Sequence, residues 1–160
     1  MRSLPGDVAV IRPVTGRVVV GLLRTVCLLA LITTIGLAAV AGLFVTGDIE
    51  MLDWHETYAM ALNVLTLAQV VLAVLLWRRN RWLRWPMAAA LGLLVMVAIQ
   101  QILGDRRTLG GHMPLGMAIC AVEAALVLWT FALLRPARTP DAAADEPAEE
   151  RALVGAEGEE

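Results

Sequence analysis

The sequence predicts an all-α integral membrane protein, a four-helix bundle built from two tandem helical hairpins. Its composition is 59% hydrophobic with a mean hydropathy of +0.71, which is more apolar surface than a soluble chain of 160 residues buries. Four apolar runs reach the roughly 20 residues that a helix needs to cross a hydrocarbon layer about 30 Å thick. The two halves of the chain also share a pattern that contains both histidines.

The four predicted spans are, in order, 18–45, 54–77, 85–103 and 112–134. The first run follows basic residues, as the apolar region of a secretory signal does, but it is longer than such a region and belongs to the repeat. We therefore expect it to be retained as a membrane helix.

Local residues predict where the second and fourth helices begin. Asp53 has the side chain of an N-cap, and Glu56 three residues later completes a capping box. Gly110 and Gly111 separate the second outer loop from an apolar run that begins at His112. We therefore expect these two helices to start next to the histidines.

The arginines predict the orientation, since the chain has no lysine. The positive-inside rule places both termini in the cytoplasm of a multi-pass cell-membrane protein, because Arg106 and Arg107 are the only arginines in the two remaining loops. Residues 1–16 then form a cytoplasmic segment and residues 17–135 the bundle. The acidic residues 136–160 are too polar to fold and predict a disordered cytoplasmic tail.

Several functional classes have no support in the residues. Cys27 and Cys120 lie in different halves of the membrane, so a disulfide between them is not expected. The chain has no CxxC pair, no nucleotide-binding glycine loop and no Ser/His/Asp arrangement, and enzymatic activity stays open. Its basic residues are topology signals, so nucleic acid is not an expected partner.

Both histidines lie in a repeated segment. Residues 47–62 read GDIEMLDWHETYAMAL and residues 104–119 read GDRRTLGGHMPLGMAI, an ungapped match at an offset of 57 residues. Hairpins repeated in one topology are related by an axis along the membrane normal. His55 and His112 should therefore face each other across the bundle at one depth.

The surroundings of the two histidines are also alike. Four residues after them come Ala59 and Gly116, whose small size leaves room for a flat ring, although small residues also allow close helix packing. Two opposed imidazoles suit a haem whose iron takes one nitrogen from each side. The pair therefore predicts a b-type haem site with His55 and His112 as iron ligands.

The segment QILGDRRTLGGHMPLGMAI, residues 101–119, resembles the passage from helix 3 to helix 4 in the haem A synthase family. The D-x-H at 53–55 similarly resembles the start of that family's second helix, and small bacterial four-span proteins with one histidine on each even-numbered helix share the pattern. The resemblance implies that His55 and His112 bind haem on the outer side. Because the family usually has eight spans and two histidine pairs, it implies a haem-binding half-module.

Other interpretations remain open from the sequence. Arg106 and Arg107 suit haem propionates, and equally lipid headgroups. With haem bound, electron transfer or haem handling would follow, with a quinone or a redox protein as partner. The alternative is a cofactor-free accessory or scaffold of a transporter or another membrane complex, and a second copy of the chain is a further candidate partner. A Cu or Zn site in which Asp48 and Asp105 join the histidines is the third.

Polar residues inside the spans form a separate group. Glu123 lies eleven residues after His112, on nearly the same helix face. Gln69, Gln100 and Gln101 could join it in a polar track for protons or quinol, and Arg24 could instead pair with it. A structural hydrogen-bond network is the simpler expectation for such a group.

The orientation is tested by single cysteines at Glu50 and Asn80, labelled in intact cells with a membrane-impermeant maleimide. We expect the cysteine at position 50 to react and the one at position 80 to be protected until the cells are opened. The unsubstituted chain, whose own cysteines lie in spans, is the control. The reverse pattern would invert the topology.

Overall fold

The computed structural model describes residues 14–81 and 83–133, and this part of the chain folds into four α-helices without a strand. They are α1 (Val14–Val45), α2 (Met51–Arg79), α3 (Arg84–Asp105) and α4 (Leu109–Ala132). All four are long and apolar enough to cross a membrane. The all-helical bundle and its four predicted spans are thus confirmed, while the terminal segments and Trp82 lie outside the described residues.

The helices pack in a ring. α1 and α3 each pack against both α2 and α4, whereas in the described ranges no Cα of α2 comes within 8 Å of a Cα of α4. α2 and α4 are therefore diagonal neighbours across the centre of the bundle. Side chains that meet between them must reach over the central axis.

The core is a column of apolar side chains on the inner faces of the helices. Val20, Cys27, Leu93 and Ile119 are at most 1% exposed. The opposite helix faces carry large apolar side chains that are mostly exposed, such as Met117 at 75%. This distribution suits hydrocarbon around the bundle, because a lipid environment imposes no penalty on exposed apolar groups.

The link between the hairpins is short, and two aromatic rings of α3 and α4 meet near it. Asn80 is the C-cap of α2 and donates its backbone N–H to the Leu76 carbonyl. α3 begins four residues later, at Arg84. The rings of Trp85 and Trp129 meet edge to face, with 4.8 Å between their centroids. We call this end of the bundle the arginine end, and the end formed by the loops 46–50 and 106–108 the histidine end.

The predicted helix starts are wrong in detail. α2 begins at Met51, so Asp53 lies within its first turn and forms no side-chain cap. The Asp53 N–H is already bonded to the Glu50 carbonyl, because tight turns lead directly into the helix. α4 begins at Leu109 and includes the two glycines that were expected to precede it.

The ungapped repeat does not extend through the loops. α1 ends in a Schellman motif in which Asp48 N–H bonds the Leu43 carbonyl and Gly47 takes a φ of 112°. α3 ends in the same motif one turn later, with Thr108 bonded to the Leu103 carbonyl and Arg107 at a φ of 52°. Gly104 itself is helical, so the matched glycines have different structural roles. Superposition of the two hairpins elsewhere stays a prediction.

The two helix ends predict opposite effects of substitution. A left-handed conformation costs a residue with a Cβ about 1–2 kcal/mol, a cost that glycine avoids. Because glycine also loses more conformational freedom on folding, about 0.5–1 kcal/mol of that advantage is lost. Arg107→Gly should therefore stabilise the protein by about 0.5 kcal/mol, and Gly47→Ala should destabilise it by about 1 kcal/mol.

Thermal unfolding of the detergent-solubilised variants measures both changes. Arg106→Gly is the matched control, since Arg106 has a negative φ and gains nothing from glycine. A stabilising effect of Arg106→Gly equal to that of Arg107→Gly would contradict the argument from backbone conformation.

Candidate functional site

The two histidine rings meet at the histidine end of the bundle. His55 is the fifth residue of α2 and His112 the fourth of α4. Their ring centroids lie 6.2 Å apart with the ring planes inclined by 50°. Because α2 and α4 are diagonal, both side chains reach across the central axis. The prediction that the two histidines face each other across the bundle is confirmed.

His112 is held in one orientation by α3. Its Nδ1 lies 3.0 Å from the backbone carbonyl oxygen of Gln100, and a carbonyl only accepts, so Nδ1 carries the proton. The Gln100 side chain in turn donates its Nε2 to the backbone carbonyl of His112 at 2.9 Å. These reciprocal bonds leave Nε2 of His112 as the ring nitrogen with a free lone pair.

Two glycines make this arrangement possible. A Cβ on Gly104 would lie 3.2 Å from Cε1 of His112, so α3 approaches the ring closely only without a side chain there. A Cβ on Gly116 would lie 3.0 Å from Nε2 of Gln100. The space beside Gly116, which was expected to receive a flat ring, is thus occupied by the Gln100 amide.

In the described part of the chain, no equivalent pair of hydrogen bonds holds His55. Its Nδ1 is buried and has no hydrogen-bond partner in the described part of the chain. The backbone carbonyl of Leu37 on α1 is close enough to influence the ring, but it makes no hydrogen bond to Nδ1. Ala59, one turn further along, is half-buried, and its carbonyl accepts a bond from Asn63 at 3.1 Å. His55 therefore presents a buried nitrogen that still needs a partner.

The charged loop residues stand apart from the rings. Arg106, Arg107, Asp48 and Asp105 are all exposed. Across residues 14–81 and 83–133, no group of three or more His, Cys, Asp or Glu side chains is placed to hold a metal ion. A Cu or Zn site that draws both aspartates to the histidines thus has no counterpart in the described residues.

The polar residues deeper in the spans separate into two groups. Gln69 donates its Nε2 to Oε2 of Glu123 at 2.7 Å, as the predicted track requires. The Gln100 side chain instead donates a hydrogen bond to the backbone carbonyl of His112. Arg24 bonds the Thr130 carbonyl and lies over the Phe131 ring, so its predicted pairing with Glu123 is wrong.

Sequence reasoning missed the role of Gln100, although a signal existed. α3 and α4 form a hairpin whose turn centres near residue 106, and residues 100 and 112 are equally far from that point. Residues equidistant from the turn of an antiparallel hairpin lie at one depth. Gln100 was therefore identifiable as a neighbour of His112 before the structure was known.

No family model matches this chain, and no curated protein or solved structure shows significant similarity to it. The resemblance to the haem A synthases therefore stays a prediction. What the histidine pair does must be argued from its own geometry.

The close approach of Gly116 to Gln100 predicts the effect of an added methyl group. Gly116→Ala should displace the Gln100 amide and weaken its bond to the His112 carbonyl, a bond worth about 1 kcal/mol. Gly92→Ala is the matched control, because a Cβ there meets nothing within 4 Å. We expect Gly116→Ala to be less stable than Gly92→Ala by about 1 kcal/mol in thermal unfolding.

A double-mutant cycle sharpens this test. In a Gln100→Ala background the amide that obstructs the methyl group is absent, so the penalty of Gly116→Ala should disappear. An unchanged penalty in that background would show that Gly116 packs against something other than Gln100.

Proposed function

We propose that this polytopic membrane protein binds one b-type haem between His55 and His112, for electron transfer or haem handling. The observation that supports the proposal is the 6.2 Å separation of the two ring centroids. Metal–imidazole bonds of about 2.0 Å on both sides of one ion separate two ring centroids by about 6 Å. The two imidazoles therefore already lie at the separation that ligands on opposite sides of one iron would need.

The hydrogen bonds of the two rings fit the proposal. A metal-bound histidine usually donates its other ring N–H to a carbonyl or carboxylate, which fixes the tautomer. The Gln100 carbonyl accepts in this way from His112. The unpartnered Nδ1 of His55 is the kind of buried polar atom that a ligand would satisfy.

Apolar and charged residues complete the proposed site. Leu62 and Ile119, seven residues after the two histidines, are 4% and 1% exposed and form an apolar floor. Arg106 and Arg107 lie in the loop at the same end, where they would neutralise the propionates by charge-assisted bonds. The arginine distribution supports an orientation with this end outside the cytoplasm.

With both histidines as ligands, a haem iron would have no open position, which favours electron transfer or haem handling over oxygen activation. A quinone or a redox protein is then the partner at the outer surface. One-electron redox chemistry is what the haem supplies; the chain's residues hold it, exclude water and balance its charge.

A cofactor-free scaffold is the second candidate, and the Gln100 contacts favour it. The reciprocal bonds between Gln100 and His112 join α3 to α4 without any ligand, and the Gln100 amide fills the space beside Gly116. In this function His112 is a structural residue, and the bundle assists a membrane complex through its lipid-facing helices. The two functions differ in the visible spectrum of the protein.

Purification from haem-replete cells tests the proposal. We expect a Soret band and sharp α and β bands on reduction, typical of a low-spin bis-imidazole haem. His55→Ala and His112→Ala should each abolish this spectrum, while Thr57→Ala, an exposed neighbour of His55, should retain it. Haem supplied in excess should also raise the melting temperature of the wild type, because it binds only the native state.

The variants also separate the two candidates. A wild type that is colourless and takes up no haem would favour the scaffold, as would a spectrum that survives both alanine substitutions. Arg106→Gln with Arg107→Gln should weaken haem retention without changing the low-spin spectrum, since the propionates are remote from the iron.

A further inference from the structure

An acid and an amide meet in the middle of the bundle, away from the histidines. Glu123 on α4 and Gln69 on α2 are both 0% exposed, and Nε2 of Gln69 lies 2.7 Å from Oε2 of Glu123. Because α2 and α4 are diagonal neighbours, this hydrogen bond crosses the central axis. Glu123 lies eleven residues beyond His112, about 16 Å deeper by helical rise.

Two oxygen atoms of this pair have no partner. Oε1 of Glu123 and Oε1 of Gln69 are both buried without a hydrogen bond in the described part of the chain. An ionised carboxylate and an amide oxygen are acceptors only, so the two atoms cannot satisfy each other. Buried polar atoms without partners are rare and call for a physical reason.

Among the residues that the structure describes, no cation forms an ion pair with Glu123. From α1, the groups on this side are Arg24, which is engaged with the Thr130 carbonyl and the Phe131 ring, and Cys27, whose thiol lies against Gln69. α2 has no titratable residue between Tyr58 and Arg78, and α3 has none between its terminal Arg84 and Asp105. An uncompensated carboxylate in such a place is strongly unfavourable.

We propose that Glu123 and Gln69 form a proton-binding site. Glu123 is a carboxylic acid whose O–H, at Oε1, is donated to Oε1 of Gln69, while Gln69 donates its N–H to Oε2. One proton thus satisfies both unpartnered oxygens and closes a cyclic acid–amide pair. The site does not depend on haem, since it involves neither histidine.

The pair makes proton loss conditional. If the proton leaves, a carboxylate remains in hydrocarbon with a single hydrogen bond and no cation. Release of the Glu123 proton therefore requires that water or a cation enters between α1, α2 and α4, or that another charge within the bundle changes to compensate. The site thus links the protonation of a residue in mid-membrane to the packing of three helices.

Infrared spectroscopy of the full chain at neutral pH tests the proposal. A protonated carboxyl group gives a carbonyl stretch distinct from that of carboxylates. We expect one such band in the wild type, a downward shift of that band when the protein is made with ¹³C-labelled glutamate, and its loss in Glu123→Gln. Glu56→Gln, which removes an exposed carboxylate on the same chain, should leave the band unchanged.

Two further variants relate the band to the pair. Gln69→Leu removes the acceptor, so the band should move to the higher frequency of a free carboxylic acid. Glu123→Gln should melt close to the wild type, because an amide can make both hydrogen bonds, whereas Glu123→Ala should melt lower. Absence of a glutamate-derived acid band from the wild type, or a melting temperature of the wild type that rises with added Na⁺ or K⁺, would overturn the proposal in favour of an ionised, cation-binding carboxylate.

Discussion

α4 receives one side-chain hydrogen bond from each of the other three helices, and the described bundle is organised around these contacts. Arg24 of α1 bonds the Thr130 carbonyl, Gln69 of α2 bonds Glu123, and Gln100 of α3 bonds the His112 carbonyl. The three contacts lie at different depths, from the arginine end to the histidine end. In hydrocarbon no water satisfies a polar group, so each contact restricts how α4 can rotate or slide.

Apolar packing alone would specify the bundle poorly. Lipid tails are as apolar as the side chains they touch, so there is little hydrophobic driving force between membrane helices, and association relies on close packing and hydrogen bonds. The glycines at 104 and 116 show how these two act together. Each removes a side chain where a polar group of the neighbouring helix must approach, and the His112–Gln100 bonds form in the space that results.

The two histidines are alike in sequence and unequal in structure. His112 is held by the Gln100 carbonyl, whereas Nδ1 of His55 has no hydrogen-bond partner among the described residues. The helix ends beside them also differ, since α3 ends about one turn later relative to the repeat than α1 does.

Much of the fold was predictable because its determinants are local. The spans follow from run length and hydropathy, and the opposed histidines follow from their positions in the repeat. Cap positions were less predictable: the capping box predicts that the Glu56 side chain accepts from the Asp53 N–H, but the turns at 48–50 start the helix earlier and the Glu50 carbonyl accepts from that N–H instead. Local competition between a side chain and the backbone for the same donor is not visible in a pattern of residue types.

By itself, the sequence determined that this chain forms four membrane-spanning helices with its two histidines on the second and fourth, because hydrophobic length and residue register are properties of the chain. Only the tertiary structure decided which polar groups meet. Gln100 lies beside Gln101 in the chain and was grouped with Glu123, yet it bonds His112, because the rotation of α3 about its axis and the close approach at two glycines select the partner. Those quantities depend on all four helices at once.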